Sequence, residues 1–213
     1  MTLSVDRGTR SSGALLLADI SGYTGFLGGV TDAYRALIIE ADEPPLAYAL
    51  MSSLLDTMVA AVAPPFRIVK FEGDALFAVA DDGTTAPHGD ALLDCLRSCH
   101  AAFEARLAEA GELWSCRCDA CQRIGDLGLK FVLHHGDYVT QRIAGREELA
   151  GPDVIVAHRL LKNHVRDAIG ARPYALFTEA AMAALAVPPE GMVALAESYE
   201  DVPPIRITVL PLA

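Results

Sequence analysis

An α+β fold, with helices packed over a largely antiparallel sheet, is the architecture these 213 residues predict. Three observations carry it. Short apolar runs of strand length recur along the chain, from ALLLADI near the start to the last segment. Two of them are joined by a tight turn at Glu72-Gly73-Asp74, where glycine permits the positive φ of a hairpin. Between the strands lie stretches with apolar residues at three- and four-residue spacings, the helical period. Hairpins mixed with helices in this order give a layered α+β sandwich.

The elements follow in order. ALLLADI (14–20) reads as a buried strand whose end carries Asp19. SGYTGFLGG is a Gly-rich turn leading into a short helix. Residues 45–62 form an apolar helix opened by Pro45, and Pro64-Pro65 stop it. FRIVKFEGDALFAVA (66–80) is the hairpin, followed by a polar loop. A helix spans 89–110, with Leu92, Leu93, Leu96, Cys99, Phe103 and Leu107 on its apolar stripe. After a Cys-rich loop, LGLKFVLHHGDYV (127–139) is a strand that can extend to Ile143. Residues 151–169 read as one helix with Pro152 in its first turn. Residues 177–185 read as another, with Thr178 as its N-cap. The last hairpin uses 191–199 and 205–210.

Composition narrows the function classes. Hydrophobic residues make up 52% of the chain, enough for a sizeable core. No Gly/Ser tract or charge run marks a linker, so residues 13–213 read as one domain after a flexible leader, 1–12. No apolar run reaches the ~18 residues of a membrane span, and the leader lacks a signal-peptide stretch; the expectation is a cytoplasmic protein with no membrane partner. The net charge of −11 argues against binding a nucleic-acid backbone, which needs a basic face. It leaves room for a small anionic ligand whose charge is neutralised by metal.

Asp19 ends one strand and Asp74 sits in the hairpin turn. If the hairpin lies beside the first strand, both carboxylates meet at one sheet edge. Hard oxygen ligands of this kind suit Mg²⁺ or Mn²⁺, which also take phosphate oxygens and water. The plainer alternative is a capping aspartate and an ordinary turn residue.

Four segments in order decide between them. ADISGYTGF, KFEGDALFAV, LKFVLHHGDYV and GPDVIVAHRLL resemble successive motifs of the class III adenylate and guanylate cyclase catalytic domains, over roughly residues 14–165. The resemblance implies the ferredoxin-like nucleotide cyclase fold and a nucleoside triphosphate substrate. It also implies two Mg²⁺ or Mn²⁺ ions per site and a homodimer with its sites between the subunits. Carried over residue by residue, Asp19 and Asp74 match the metal-binding pair, Ile20 the carbonyl ligand, and Tyr23 and Thr24 the phosphate contacts. Lys70 stands where adenylate cyclases place the lysine that reads adenine. Glu148 stands where the family often has an Asp paired with that lysine, which favours ATP as substrate. Arg159 falls on the arginine that stabilises transition-state charge, as a fork of donors aimed at phosphate.

The chain also departs from the pattern. Ile155 replaces the Asn that orients the ribose and offers no hydrogen bond. His158 stands where a small residue is usual. No Lys occupies the C-terminal triphosphate position, where only Arg206 is available. A cyclase forming a 3′,5′-cyclic nucleotide and pyrophosphate is therefore one expectation. The other is a catalytically degenerate nucleotide- or metal-binding regulatory module on the same fold.

Cys116, Cys118 and Cys121 form C-x-C-x-x-C, a spacing that can ligate one Zn²⁺ with a fourth ligand from Cys99, His100, His135 or water. Redox-sensitive or simply reduced thiols are the alternatives. His134 and His135 read as core or edge histidines before they read as catalytic bases, and Trp114, Met51 and Met58 read as packing.

Overall fold

The computed structural model describes residues 8–41, 44–83, 86–113, 118–170, 172–200 and 202–212. Eight strands form one sheet: β1 (Thr9–Ser21), β2 (Arg67–Glu72), β3 (Ala75–Asp81), β4 (Gly128–Ile143), β5 (Arg146–Ala150), β6 (Tyr174–Thr178), β7 (Val193–Tyr199) and β8 (Val202–Pro211). The order is β2-β3-β1-β4-β6-β8-β7, with β5 paired to the far end of β4. All pairings are antiparallel except β4 with β6. This is the predicted α+β class, with a mostly antiparallel sheet.

Both faces of the sheet are covered, which explains why its central strand reads as an unbroken apolar run. Successive side chains of a strand point to opposite faces. Leu16, Ala18 and Ile20 of β1 enter one core, beneath α1 (Tyr23–Ala41), α2 (Leu46–Val62) and α3 (Gly89–Leu113). Leu15 and Leu17 enter the other, with Val154, Ala157, Leu160 and Val165 from α5 (Pro152–Arg159), the 3₁₀ turn Leu160–Lys162 and α6 (Val165–Ile169). Each large side chain so buried contributes about 1.5–3 kcal/mol, so β1 is anchored twice and its end is a fixed point. Met51 and Met58 are core residues, as expected. No helix among the described residues is long and apolar enough to cross a membrane.

Several elements differ from the expectation. Thr9–Ser12, expected in the leader, pair with Asp137–Thr140 of β4. The helix after Gly22 is not short: α1 has 19 residues. Its glycines are tolerated because Phe26 and Val30, one turn apart, are buried and hold it to the sheet. β5 and β6 are strands that sequence reading left unassigned. The single helix expected at 151–169 breaks in two. Asn163 causes the break: its Nδ2 donates to Leu160 O at 2.7 Å, and its Oδ1 accepts from Val165 N at 3.1 Å. Thr178 is the N-cap of α7 (Glu179–Ala184), accepting from Ala181 N at 3.2 Å.

Candidate functional site

The antiparallel register of β1 sets Asp19 opposite Ala75 of β3 on one side and Lys130 of β4 on the other. The β4–β6 register adds Tyr174 beside Lys130. Asp19, Lys130 and Tyr174 thus form a row across three strands at one end of the sheet. Asp74 occupies the β2–β3 turn, next to Asp19's partner. Gly73 makes that turn with φ +68°, and Ile20 N donates to Asp74 O at 3.3 Å. The strand pairing expected from sequence therefore holds, and it brings the two aspartates together.

Their electrostatics are strained in a useful way. The Lys130 ammonium sits 2.8 Å from Asp19 Oδ2 and also donates to Leu161 O at 3.0 Å. One ammonium does not neutralise two carboxylates. Burial and the neighbouring Asp19 charge lift the Asp74 carboxyl above its ordinary 3.8, against the pull of its own backbone N–H and of Lys130. Burial together with the Asp74 and Tyr48 charges lifts the Tyr23 phenol as well. Asp74 has no ion-pair partner among the described residues, a condition that a divalent cation relieves.

A cavity of about 320 Å³ opens on this row. Asp19, Ile20 and Asp74 line it, with Tyr23 and Thr24 from the first turn of α1. Gly22, at φ +87°, turns the chain from β1 into that helix. The N-terminus of α1, with its unpaired N–H groups, therefore borders the acids. The α5–α6 connection also lines it, through Leu161, Asn163 and Arg166. Among the described residues no group of three or more His, Cys, Asp or Glu side chains is placed to hold a metal. Two carboxylates and the Ile20 carbonyl are hard oxygen donors of the kind that Mg²⁺ or Mn²⁺ takes.

The remaining candidates form a second cluster outside this cavity. Lys70 on β2 bonds Glu148 of β5 at 3.0 Å and Glu72 at 3.0 Å. His158 of α5 bonds Glu72 at 3.1 Å and sets its ring edge against Phe77. Burial pushes Glu72 up, yet hydrogen bonds from Lys70 and His158 and their charges bring it below its ordinary value. Burial lowers Lys70, and the two carboxylates more than restore it. Arg67 bonds Glu147 alongside. The pairing of Lys70 with Glu148 expected from sequence is thus present within one chain. Arg159 reaches neither cluster and donates to Glu200 O at 2.7 Å. Ile155 is 55% exposed.

Arg206, the expected C-terminal cation, is held by Glu179 at 2.9 and 3.0 Å and lines a different cavity, with His134. Sequence reasoning missed Lys130 and Arg166. Lys130 stands in the third motif, and its cross-strand register to Asp19 was the usable signal; Arg166 gave none. In the Cys loop, Cys116 lies outside the described residues. Cys118 is half-buried at the N-cap of α4 (Asp119–Gln122), and Cys121 is buried within that helix. Cys99 is fully buried, and that burial pushes its thiol up to about 12.

Solved structures of similar fold include a bacterial light-regulated adenylyl cyclase, at TM-score 0.62 and 15% identity, with 96% of this chain and 92% of that chain covered. The adenylyl cyclase CyaB from P. aeruginosa matches at TM-score 0.60 and 13% identity, over 96% and 95%. At such identities these likenesses show the fold. An uncharacterized protein of Mycobacterium tuberculosis, Rv2561/Rv2562, is 36% identical over 117 residues, 54% of this chain. The match spans about half (52%) of that relative's length. The family model described as "Protein of unknown function (DUF2652)" matches residues 51–168, more than half of the sequence, and the chain belongs to that family.

Proposed function

We propose that the chain from Thr9 onward forms one nucleotidyl cyclase-like domain that takes a nucleoside triphosphate with divalent metal, ATP favoured, at the Asp19–Asp74 cavity. The observation that carries this is the meeting of two under-neutralised carboxylates with the N-terminus of α1, in a fold shared with adenylyl cyclases. Asp19, Asp74 and the Ile20 carbonyl would hold Mg²⁺ or Mn²⁺, two per site in the active form. When bound, the metal supplies Lewis-acid activation of the ribose 3′-hydroxyl and charge neutralisation at the triphosphate. The chain's own residues do the positioning. Tyr23, Thr24 and the N–H groups of the first turn of α1 face the phosphates, and Lys130 balances Asp19. The 3′-hydroxyl attacks the α-phosphate in line, its proton leaves to solvent, and pyrophosphate departs.

Lys70, Glu148 and Arg159 lie apart from the acids of their own chain. That separation supports a twofold homodimer, in which one copy's acid cavity meets the other copy's Lys70–Glu148 pair and Arg159. Purified protein incubated with each NTP and Mn²⁺ tests the proposal. Cyclic nucleotide and pyrophosphate in equal amounts, lost in Asp74→Asn, are expected; no product from any NTP with a folded dimer contradicts it.

A second reading is favoured by Ile155 and by the engagement of Arg159 with Glu200 O. On this reading the domain binds metal nucleotide without turnover. It predicts thermal stabilisation by ATP with Mn²⁺ and no product. For the Cys loop we propose a structural Zn²⁺ on Cys116, Cys118 and Cys121. One zinc per chain in untagged protein is the expected metal analysis, and substoichiometric zinc contradicts it.

A further inference from the structure

Among the described residues two cations line the acid cavity, Lys130 and Arg166, and one of them is committed. Lys130 is committed to Asp19 and Leu161 O. Arg166, on α6, lines the same cavity and has no hydrogen bond or ion pair from its guanidinium among the described residues. Its charge is felt inside the site, where it partly offsets the rise that burial imposes on Tyr174.

The segment leading to Arg166 is held by several hydrogen bonds. Asn163 is fastened three ways, through Leu160 O, Val165 N and the Tyr174 hydroxyl at 2.8 Å. Glu197, 3% exposed, accepts from His164 N at 2.7 Å and from His164 Nδ1 at 2.9 Å. A buried carboxylate spent on a connecting segment fixes where the next residues point. Arg206, by contrast, is neutralised by Glu179 and faces another cavity.

We propose that Arg166 is the polyphosphate anchor of this cavity: a binding residue that reads the outer phosphates of the ligand and discriminates triphosphate from monophosphate. The inference rests on the proposed metal–triphosphate reading of the cavity. A guanidinium unpaired among the described residues, lining the same cavity as the two carboxylates proposed to hold metal, has the donors of a bidentate phosphate receptor. It supplies from the same chain the charge expected in the C-terminal strand.

Inorganic tripolyphosphate with Mn²⁺ isolates the contact, because neither base nor sugar is present. Binding is measured by calorimetry on the full chain, with Mn²⁺ alone and AMP with Mn²⁺ as comparisons. Arg166→Ala is expected to weaken tripolyphosphate about tenfold or more, with Mn²⁺ alone and AMP unchanged; Arg166→Lys is expected to fall between. Among the described residues the Arg166 guanidinium has no hydrogen bond or ion pair to lose, so the apo melting temperature should stay within a degree or so of wild type. If Arg166→Ala binds tripolyphosphate as tightly as wild type, the assignment is overturned while the cavity reading stands. If wild type binds no tripolyphosphate with Mn²⁺, the cavity reading and the assignment both fail.

Discussion

Asp74 pays for its position. A partly buried carboxylate beside another carboxylate resists ionising, and its acidity is shifted accordingly. The sign follows directly. Raised in the folded state, Asp74 favours folding when protonated and opposes it as pH rises through its folded value. On the proposed function, metal binding would run the other way, because it needs the ionised form. Mn²⁺ affinity should therefore begin to fall, on acidification, at a pH above the ordinary carboxylate range. Lys130 is the counterpart. Its ammonium and the Asp19 carboxylate are each less than a fifth exposed, so Lys130→Ala leaves two uncompensated carboxylates and should cost about 2–3 kcal/mol. Added Mn²⁺ should return much of that loss by taking over the charge. Thermal melts with and without Mn²⁺ check this; an equal deficit in both would show that Lys130 acts through packing alone. The acids were legible in the sequence because each sits in a local motif. Lys130 and Arg166 were not, because what defines them is a cross-strand register and a broken helix.

Helix α1 carries a contrast between adjacent glycines. A Cβ on Gly28 meets nothing within 4 Å, whereas one on Gly29 comes 2.8 Å from Ala120 Cβ. Gly29 lets α4, in the Cys loop, dock on the helix whose first turn borders the acid cavity. Gly28→Ala should stabilise the protein by about 0.5–1 kcal/mol through helix propensity. Gly29→Val should destabilise it and loosen the Cys loop, read as faster hydrogen exchange over 118–122; equal effects of both changes would contradict the docking. A second clamp joins β4, α5 and α7. His134 Nδ1 lies 2.8 Å from Thr178 Oγ1, which already accepts from Ala181 N. His134 Nε2 lies 3.2 Å from Asp153 Oδ1, and Asp153 Oδ2 accepts from Asp137 N at 2.8 Å. Gly136 makes room, since a Cβ there would fall 2.3 Å from Asp153 Cγ. The glycine of the HHG triplet is therefore required by the aspartate of GPD. Burial holds His134 below its ordinary 6.5, against the pull of Asp153. A depressed histidine contributes stability that is present above 6.5 and lost as pH falls below it. Denaturant midpoints from pH 7.5 to 5 should decline, and His134→Gln should flatten the decline; an unchanged slope in the variant would remove His134 as its cause. β5 and β6 escaped sequence reading for different reasons. REELA is polar and pairs only at the extension of β4, and YALFT runs directly into the N-cap of α7.

Across the whole molecule, the sheet order sets one chain's chemistry in two places. The acids, α1 and Arg166 meet at the shared end of β1, β3 and β4, while Lys70 and Glu148 meet where β2 approaches β5. The first grouping was readable as motifs in sequence order. The second was readable as a pair of residues, but its distance from the acids follows only from the three-dimensional register. On the proposed function, both groupings matter when two copies associate, and the cation shared by Asp19 and Asp74 comes first, because nucleotide binding depends on it. The direct measurement is calorimetric titration of Mn²⁺ into the full chain with a non-cyclisable ATP analogue, compared across wild type, Asp19→Asn and Asp74→Asn. Analogue-dependent Mn²⁺ binding in wild type, weakened at least about tenfold in each variant, is the predicted result. Binding in both variants equal to wild type, or no analogue-dependent Mn²⁺ binding in the folded wild type, would contradict the account.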